Sequence, residues 1–343
     1  MLKRTLAVCV LICLAATGAF AGGGSESGGS SAQPQQQQPQ QQVVKMRISG
    51  NNPDGTPATE GYKYFSKKLA ELTNGGIALD VFPSGQLGAE REVTEQVKAG
   101  ALEFAHVSAG FLGAFVPSID VFNVPYLFRS HDHYWNVMTG PIGEGMKADV
   151  EKWGARLSMW VDGGSRSFYN NTRPITKPED LKGLKIRVMG SPVMIKTMQF
   201  LGASPTTTAY AEVYNALQTR VIDGAENSPN SVASMKHNEV AKFFSLNEHM
   251  KIPDIVLMSN TAWNKLDAAG KDAVKKAELD AQGWIKTEWA RQESLSLEAC
   301  RKTMTINEVP DKTAFINAVL PLHTDPELKA KFGDLIERIK AAQ

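Results

Sequence analysis

The chain has little cysteine, no long apolar run and almost no excess of charge, and each scarcity excludes something. Its three cysteines are Cys9, Cys13 and Cys300. The first two lie at the extreme amino end, so the body of the protein keeps a single thiol, which rules out a disulfide framework and a thiolate metal site. Cys300 sits within a helical pattern and is expected to be a packing residue. The apolar stretch from Leu6 to Ala16 is bounded by Gly18 and Gly22 and falls short of the roughly 20 residues that a membrane span needs. With Lys3-Arg4 before it and Ala19-Phe20-Ala21 after it, the stretch has the charged, apolar and small-residue order of a secretory signal cut after Ala21. Cys9 and Cys13 follow Val8 and Ile12 rather than a small side chain, so no lipid anchor is expected. Without Lys3 and Arg4 the 37 basic residues fall to 35 against 36 acidic ones, a formal charge of −1. That balance argues against a nucleic-acid partner.

Residues 22–44 are mostly Gly, Ser, Gln and Pro, a composition that cannot bury enough apolar surface to offset its ordering entropy. We read them as a tether. About 300 residues remain, enough for two lobes. VVKMRIS reads as a strand, and Thr56 or Thr59 can cap a helix carrying Tyr62, Phe65, Leu69 and Leu72 at helical spacing. IALDVF alternates like a strand, a helix through Val93 and Val97 ends at Gly100, and LEFAHVS is a third extended run. This alternation is that of a parallel sheet with crossover helices. It restarts after Trp160 with the strand KIRVM and a helix beginning at Ser191-Pro192. YAEVYNALQ reads as a helix, VIDGAE as a short strand and Pro229 to His237 as a further helix. From about Ala268 to Met304 a proline-free helical pattern runs on for an unusual length. The fold class is α/β.

Enzyme signatures were sought. Gly143-x-Gly145-x-x-Ala148 fits a relaxed dinucleotide fingerprint with Asp162 near the ribose position, but the preceding HDHYWNVMTGP is not a buried strand, so a loop is expected there. His131-x-His133 is read as a surface pair at a helix start rather than a metal site, since no further ligand follows at the right spacing. Elbow, Walker and H-E-x-x-H motifs are missing. No metal and no cofactor are expected.

The block from Asp162 to Asn230 is the informative one. DLKGLKIRV, LGASPT, EVYNALQ and DGAEN, with FPSGQLGAEREV, DVFNVPYLF and IPDIVLMSNTAW elsewhere, closely resemble the solute-binding subunits of TRAP transporters, the DctP family, over the whole chain from about Lys45. The resemblance implies a two-lobed periplasmic-binding-protein fold, each lobe a mixed sheet flanked by helices, with the long helix spanning both. Lobe I is expected at 45–163 plus about 252–290, and lobe II at 164–251 plus about 291–343. It also implies a periplasmic monomer that binds a small-molecule carboxylate and passes it to the small and large membrane subunits.

Arg187 matches the arginine that grips the ligand carboxylate in that family. It closes a strand, where open α/β sheets place their ligands, and a guanidinium meets a carboxylate with two parallel hydrogen bonds. Arg166 matches a second arginine directed at the ligand, and Asn227 an amide beside it. Arg166 could instead brace the loop between lobes, and Asn227 could cap a helix. Alignment with the family adds Asn51, Glu90 and Ser108 from the opposite lobe, Tyr210 as an aromatic wall, Met189 beside the arginine strand, and His249. The sequence departs from the family at Arg220, expected to face solvent, and at Thr206-Thr207-Thr208, where a proline-containing turn is usual. Two other readings are an extracytoplasmic enzyme on sugar acids, with Glu90 and Glu212 as acid and base, and a sensor that presents its ligand.

Overall fold

The computed structural model describes residues 43–343. The expected signal at 1–21, and the tether up to residue 42, lie outside them. Val43 and Val44, inside the tether's expected bounds but also in the VVKMRIS run read as a strand, are described, and Val44 opens the first strand. β1 (Val44–Ser49) leads to α1 (Pro57–Leu72), β2 (Ile77–Phe82), α2 (Glu90–Ala99), β3 (Phe104–Ser108) and the short α3 (Ala109–Leu112). Thr56 is the cap of α1, its hydroxyl accepting from the Thr59 N–H. A 3-10 turn at Pro117–Asn123 precedes α4 (His131–Thr139), α5 (Pro141–Trp153) and β4 (Ala155–Val161), and β5 (Ser165–Asn170) begins the second half.

There β6 (Lys185–Val188), α6 (Pro192–Phe200), β7 (Ser204–Thr207), α7 (Val213–Gln218), β8 (Gly224–Asn227), α8 (Pro229–Ser234) and β9 (Phe243–Lys251) follow. The chain returns through β10 (Asp254–Ser259), α9 (Asn260–Lys265) and α10 (Ala268–Arg301). It ends with β11 (Thr305–Glu308), α11 (Thr313–Val319), α12 (Pro326–Phe332) and α13 (Leu335–Ala341).

The strands form two mixed sheets. The first has the order β2-β1-β3-β10-β4, with β10 antiparallel to both neighbours, and the second has the order β11-β9-β5-β8-β6-β7. The chain crosses between them at 162–164 and at 252–253, and α10 packs along both. Val274, Ala277, Ala281 and Ile285 of α10 share a core with Tyr62, Phe65 and Leu69 of α1. Farther along, the side-chain amide of Asn230 on α8 donates to Ser296 Oγ at 2.7 Å. Cys300 is buried with Val213, Leu217 and Phe244, and burial pushes its thiol up to about 12, as suits packing and not chemistry. The end of the chain folds back on the 117–139 segment: His323 Nε2 meets the Pro125 carbonyl at 2.8 Å and His133 Nε2 meets that of Ile339 at 2.8 Å.

Two local expectations are corrected. Gly143-x-Gly145-x-x-Ala148 is not a loop but the first turns of α5. Pro141 starts that helix, and Gly143 is needed because a Cβ there would lie 1.8 Å from the Met138 carbonyl oxygen. His131 and His133 do begin a helix, α4, but His133 is buried under α13 and only His131 stays half-exposed.

Candidate functional site

Where the ends of the two sheets face each other, their side chains line a small cavity of about 50 Å³. Eight of the nine residues expected from sequence line it: Asn51, Glu90, Ser108, Arg166, Arg187, Met189, Tyr210 and Asn227. His249 does not. It is fully buried beside the cavity, stacked on Phe168 at 4.2 Å with Nε2 3.8 Å from Glu226. Burial, with Arg166 adding, lowers its pKa to about 3, so it is neutral.

The strands aim these side chains. Arg187 is on β6 and Arg166 on β5, Asn227 ends β8, Ser108 ends β3, and Glu90 is the first residue of α2. Both arginines are about nine-tenths buried or more, at 5% and 6% exposure, yet their surroundings differ. Arg166 Nε donates to Glu226 at 2.5 Å, Nη2 donates to the same carboxylate at 2.8 Å and to the Glu226 carbonyl at 2.9 Å, and Nη1 donates to Asn227 Oδ1 at 2.8 Å. Four of its five N–H groups are thereby used. Burial lowers its pKa, but the facing Glu226 outweighs this and the net shift is upward. It is a braced, neutralised arginine with one donor to spare.

Arg187 is different. Its Nε and Nη2 both donate to the Thr208 carbonyl, at 2.9 and 2.8 Å, and its guanidinium lies 5.9 Å from the Tyr210 ring. Among the described residues no acid pairs with it, and three N–H groups are left over. Burial lowers its pKa, with Arg166 contributing the same way, though an arginine keeps its proton. A buried cation without a counter-ion is costly unless something anionic joins it. The Thr206-Thr207-Thr208 departure supplies the carbonyl that fixes the guanidinium. Arg220 lies away from the cavity, exposed and in the left-handed region at φ 58. Glu212 is also exposed and does not line the cavity, so it is not placed to act with Glu90.

The first-lobe wall is acidic. Glu90 Oε1 accepts from the Ser108 N–H at 2.5 Å. Burial pushes its pKa up to about 7, with Asp254 adding and Ser108, His106 and Arg187 opposing. Sequence reading missed Asn52, His106, Ser231 and Asp254 in the lining and Glu226 behind it. The signals available were the inward phase of His106 in LEFAHVS and the placement of Asp254 and Glu226 in the IPDIVLMSNTAW and DGAEN blocks.

The model for "bacterial extracellular solute-binding protein, family 7" matches residues 48–329. A solute-binding protein of Chromohalobacter salexigens is 33% identical over 290 residues, covering 83% of this chain and 86% of its own length. A TRAP periplasmic solute-binding protein of Xanthobacter autotrophicus, solved with bound β-D-galacturonate, is 38% identical with a TM-score of 0.81, covering 87% of this chain and 100% of that one. Its counterpart from Roseobacter denitrificans, with bound β-D-glucuronate, is 34% identical with a TM-score of 0.84 over the same shares. With two mixed sheets flanked by helices and matches across the whole described length, the chain belongs to family 7 of the bacterial extracellular solute-binding proteins, the TRAP-type DctP family, whose members bind solutes and are not enzymes.

Proposed function

We propose that the protein captures a small organic acid, a sugar acid such as a uronate or a dicarboxylate, by clamping its carboxylate on Arg187, and delivers it to the small and large membrane subunits of its transporter. The observation that carries this reading is the Arg187 guanidinium itself: buried, facing the cavity, and paired with no acid among the described residues. Two of its three spare N–H groups suffice for a bidentate carboxylate. The Nδ2 of Asn227, whose Oδ1 is held by Arg166 and by the Ser228 N–H, is a further donor toward the same oxygens. The uronates bound by the Xanthobacter and Roseobacter proteins fit this donor set.

The lobes are those read from sequence, 45–163 with about 252–290 and 164–251 with about 291–343, and they close on the ligand as a monomer. Only a ligand that touches both lobes in the shut form can drive closure. Proteins of this family are periplasmic, and the leader at 1–21 is the proposed route of export.

Isothermal calorimetry with galacturonate, glucuronate and succinate tests the assignment. Arg187→Ala should lose about 2–5 kcal/mol of binding free energy, the cost of leaving a desolvated charge unpaired. An alanine variant that binds these acids as tightly as the wild type refutes the clamp.

A further inference from the structure

Across the cavity from Arg187, the first lobe holds two acids that form no ion pair with a lysine or arginine among the described residues. Glu90 is fixed through Oε1 by the Ser108 N–H, leaving Oε2 without a protein donor among the described residues. Asp254 sits across the sheet from that same Ser108, at the first position of β10. The side chain within ion-pair distance of it, among the described residues, is His106, with Nε2 3.1 Å from Oδ2. That approach is too poorly aligned to count as a hydrogen bond, since His106 Nε2 has no bonded partner. The Asn52 amide nitrogen lies 3.4 Å from His106 Nδ1. An amide N–H can only donate, so Nδ1 is the acceptor and the ring proton is on Nε2, facing Asp254.

We propose that Asp254, with His106 beside it and flanked by Glu90, is the specificity determinant of the site: it accepts ligand hydroxyls and excludes a second carboxylate, so the preferred solute is a polyhydroxylated monoacid. The inference rests on the carboxylate clamp at Arg187 and sorts the acids that clamp admits. The charges lead to it. Arg166 and Glu226 cancel, so a single cation remains available, and a ligand's first carboxylate uses it. A second carboxylate at the far end meets two acids across a cavity sheltered from water, where like charges repel strongly. A sugar hydroxyl there finds acceptors and donates to them, and a buried acceptor left without a donor is costly, so an analogue lacking the hydroxyl is penalised as well.

The test compares galacturonate, galactonate, galactarate and succinate by calorimetry. Galactonate and galactarate share an open six-carbon chain and differ at one end, a hydroxymethyl in the first and a carboxylate in the second. The wild type should bind galactonate or galacturonate and discriminate against galactarate and succinate by at least tenfold. Asp254→Asn, which keeps the size and removes the charge, should shrink the galactarate discrimination by tenfold or more while weakening the monoacids. His106→Gln, with the fold checked by circular dichroism, should shrink it less. A wild type that prefers galactarate or succinate, or an Asp254→Asn variant with unchanged ratios, overturns the inference and leaves the Arg187 clamp standing. Failure of all four acids to bind removes the clamp reading and this one with it.

Discussion

Taking a guanidinium or a carboxylate out of water forfeits several kcal/mol of hydration, and the buried charges of the cavity recover it in different ways. Arg166 does so inside the protein, through Glu226. Arg187 has a single carbonyl, and Glu90 has a single N–H plus a retained proton up to a pKa of about 7. The consequence for Glu90 can be worked out in sign. In the unfolded chain its carboxyl titrates near the usual 4.5, and in the fold near 7. Between those values the unfolded state has released a proton that the native state still holds, so stability falls as pH rises through that window and levels off above it. Glu90→Gln removes this contribution. Urea unfolding of the ligand-free proteins at pH 5 and pH 8 should therefore show the variant gaining on the wild type at the higher pH. Glu293, also pushed up to about 7 by burial, acts equally in both and cancels. A difference between the two proteins that does not change with pH contradicts the assignment.

Among the elements, α10 is the one whose pattern and energetics are both legible. Its proline-free run was visible from Ala268, and Asp267 caps it by accepting from the Gly270 N–H at 2.7 Å. Invisible in the pattern was that Glu278, on the buried face, would be held by Arg156 of β4 and by Ser158 Oγ at 2.5 Å. Arg156 also lies 4.4 Å from the Trp263 ring. Arg156→Ala leaves Glu278 buried at 4% exposure without its cation, and breaking a buried pair in this way costs about 3–5 kcal/mol. A melting temperature unchanged from wild type would rule that out.

The same contrast explains what else could be read. KIRVM and LEFAHVS showed as strands because β6 and β3 are short, mostly apolar runs buried on both faces. The start of α4 showed in His131-x-His133, but α5 did not, because Gly143 and Gly145 in its first turns read as a loop and glycine is a poor helix former. β9 and β10 were not recognised, since nothing local tells a chain to leave one sheet and complete another. The eight cavity residues were legible through family resemblance and strand ends. His106 and Asp254 were not, because their meeting depends on the antiparallel return of β10 beside β3.

At the level of the whole molecule, the proposed grip between Arg187 on one side and Asn51 and Glu90 on the other would make a ligand measure the spacing of the lobes, so affinity should depend on the crossings that set it. The two loop crossings touch backbone to backbone. Lys251 pairs with Ser165 and Asp254 with Val161, and between these pairs Gly163 lies so close to the other crossing that a Cβ would stand 2.1 Å from the Ile252 carbonyl oxygen. A carbonyl on a paired backbone cannot swing aside as the end of a side chain can, so a methyl at 163 must spread the crossings. Gly163→Ala should therefore lower stability by about 1–3 kcal/mol, as overpacking does, and weaken binding of the acid, since residue 163 also lines the cavity. Gly145→Ala is the control: no atom lies within 4 Å of its added Cβ, and inside α5 alanine should gain about 0.5–1 kcal/mol. Ligand-induced shifts in melting temperature read both effects, since a solute at a hundred times its dissociation constant adds about 2.7 kcal/mol to the folded state. If Gly163→Ala retains the full wild-type shift, lobe spacing is not set at this crossing, and control of the cleft passes to α10 alone.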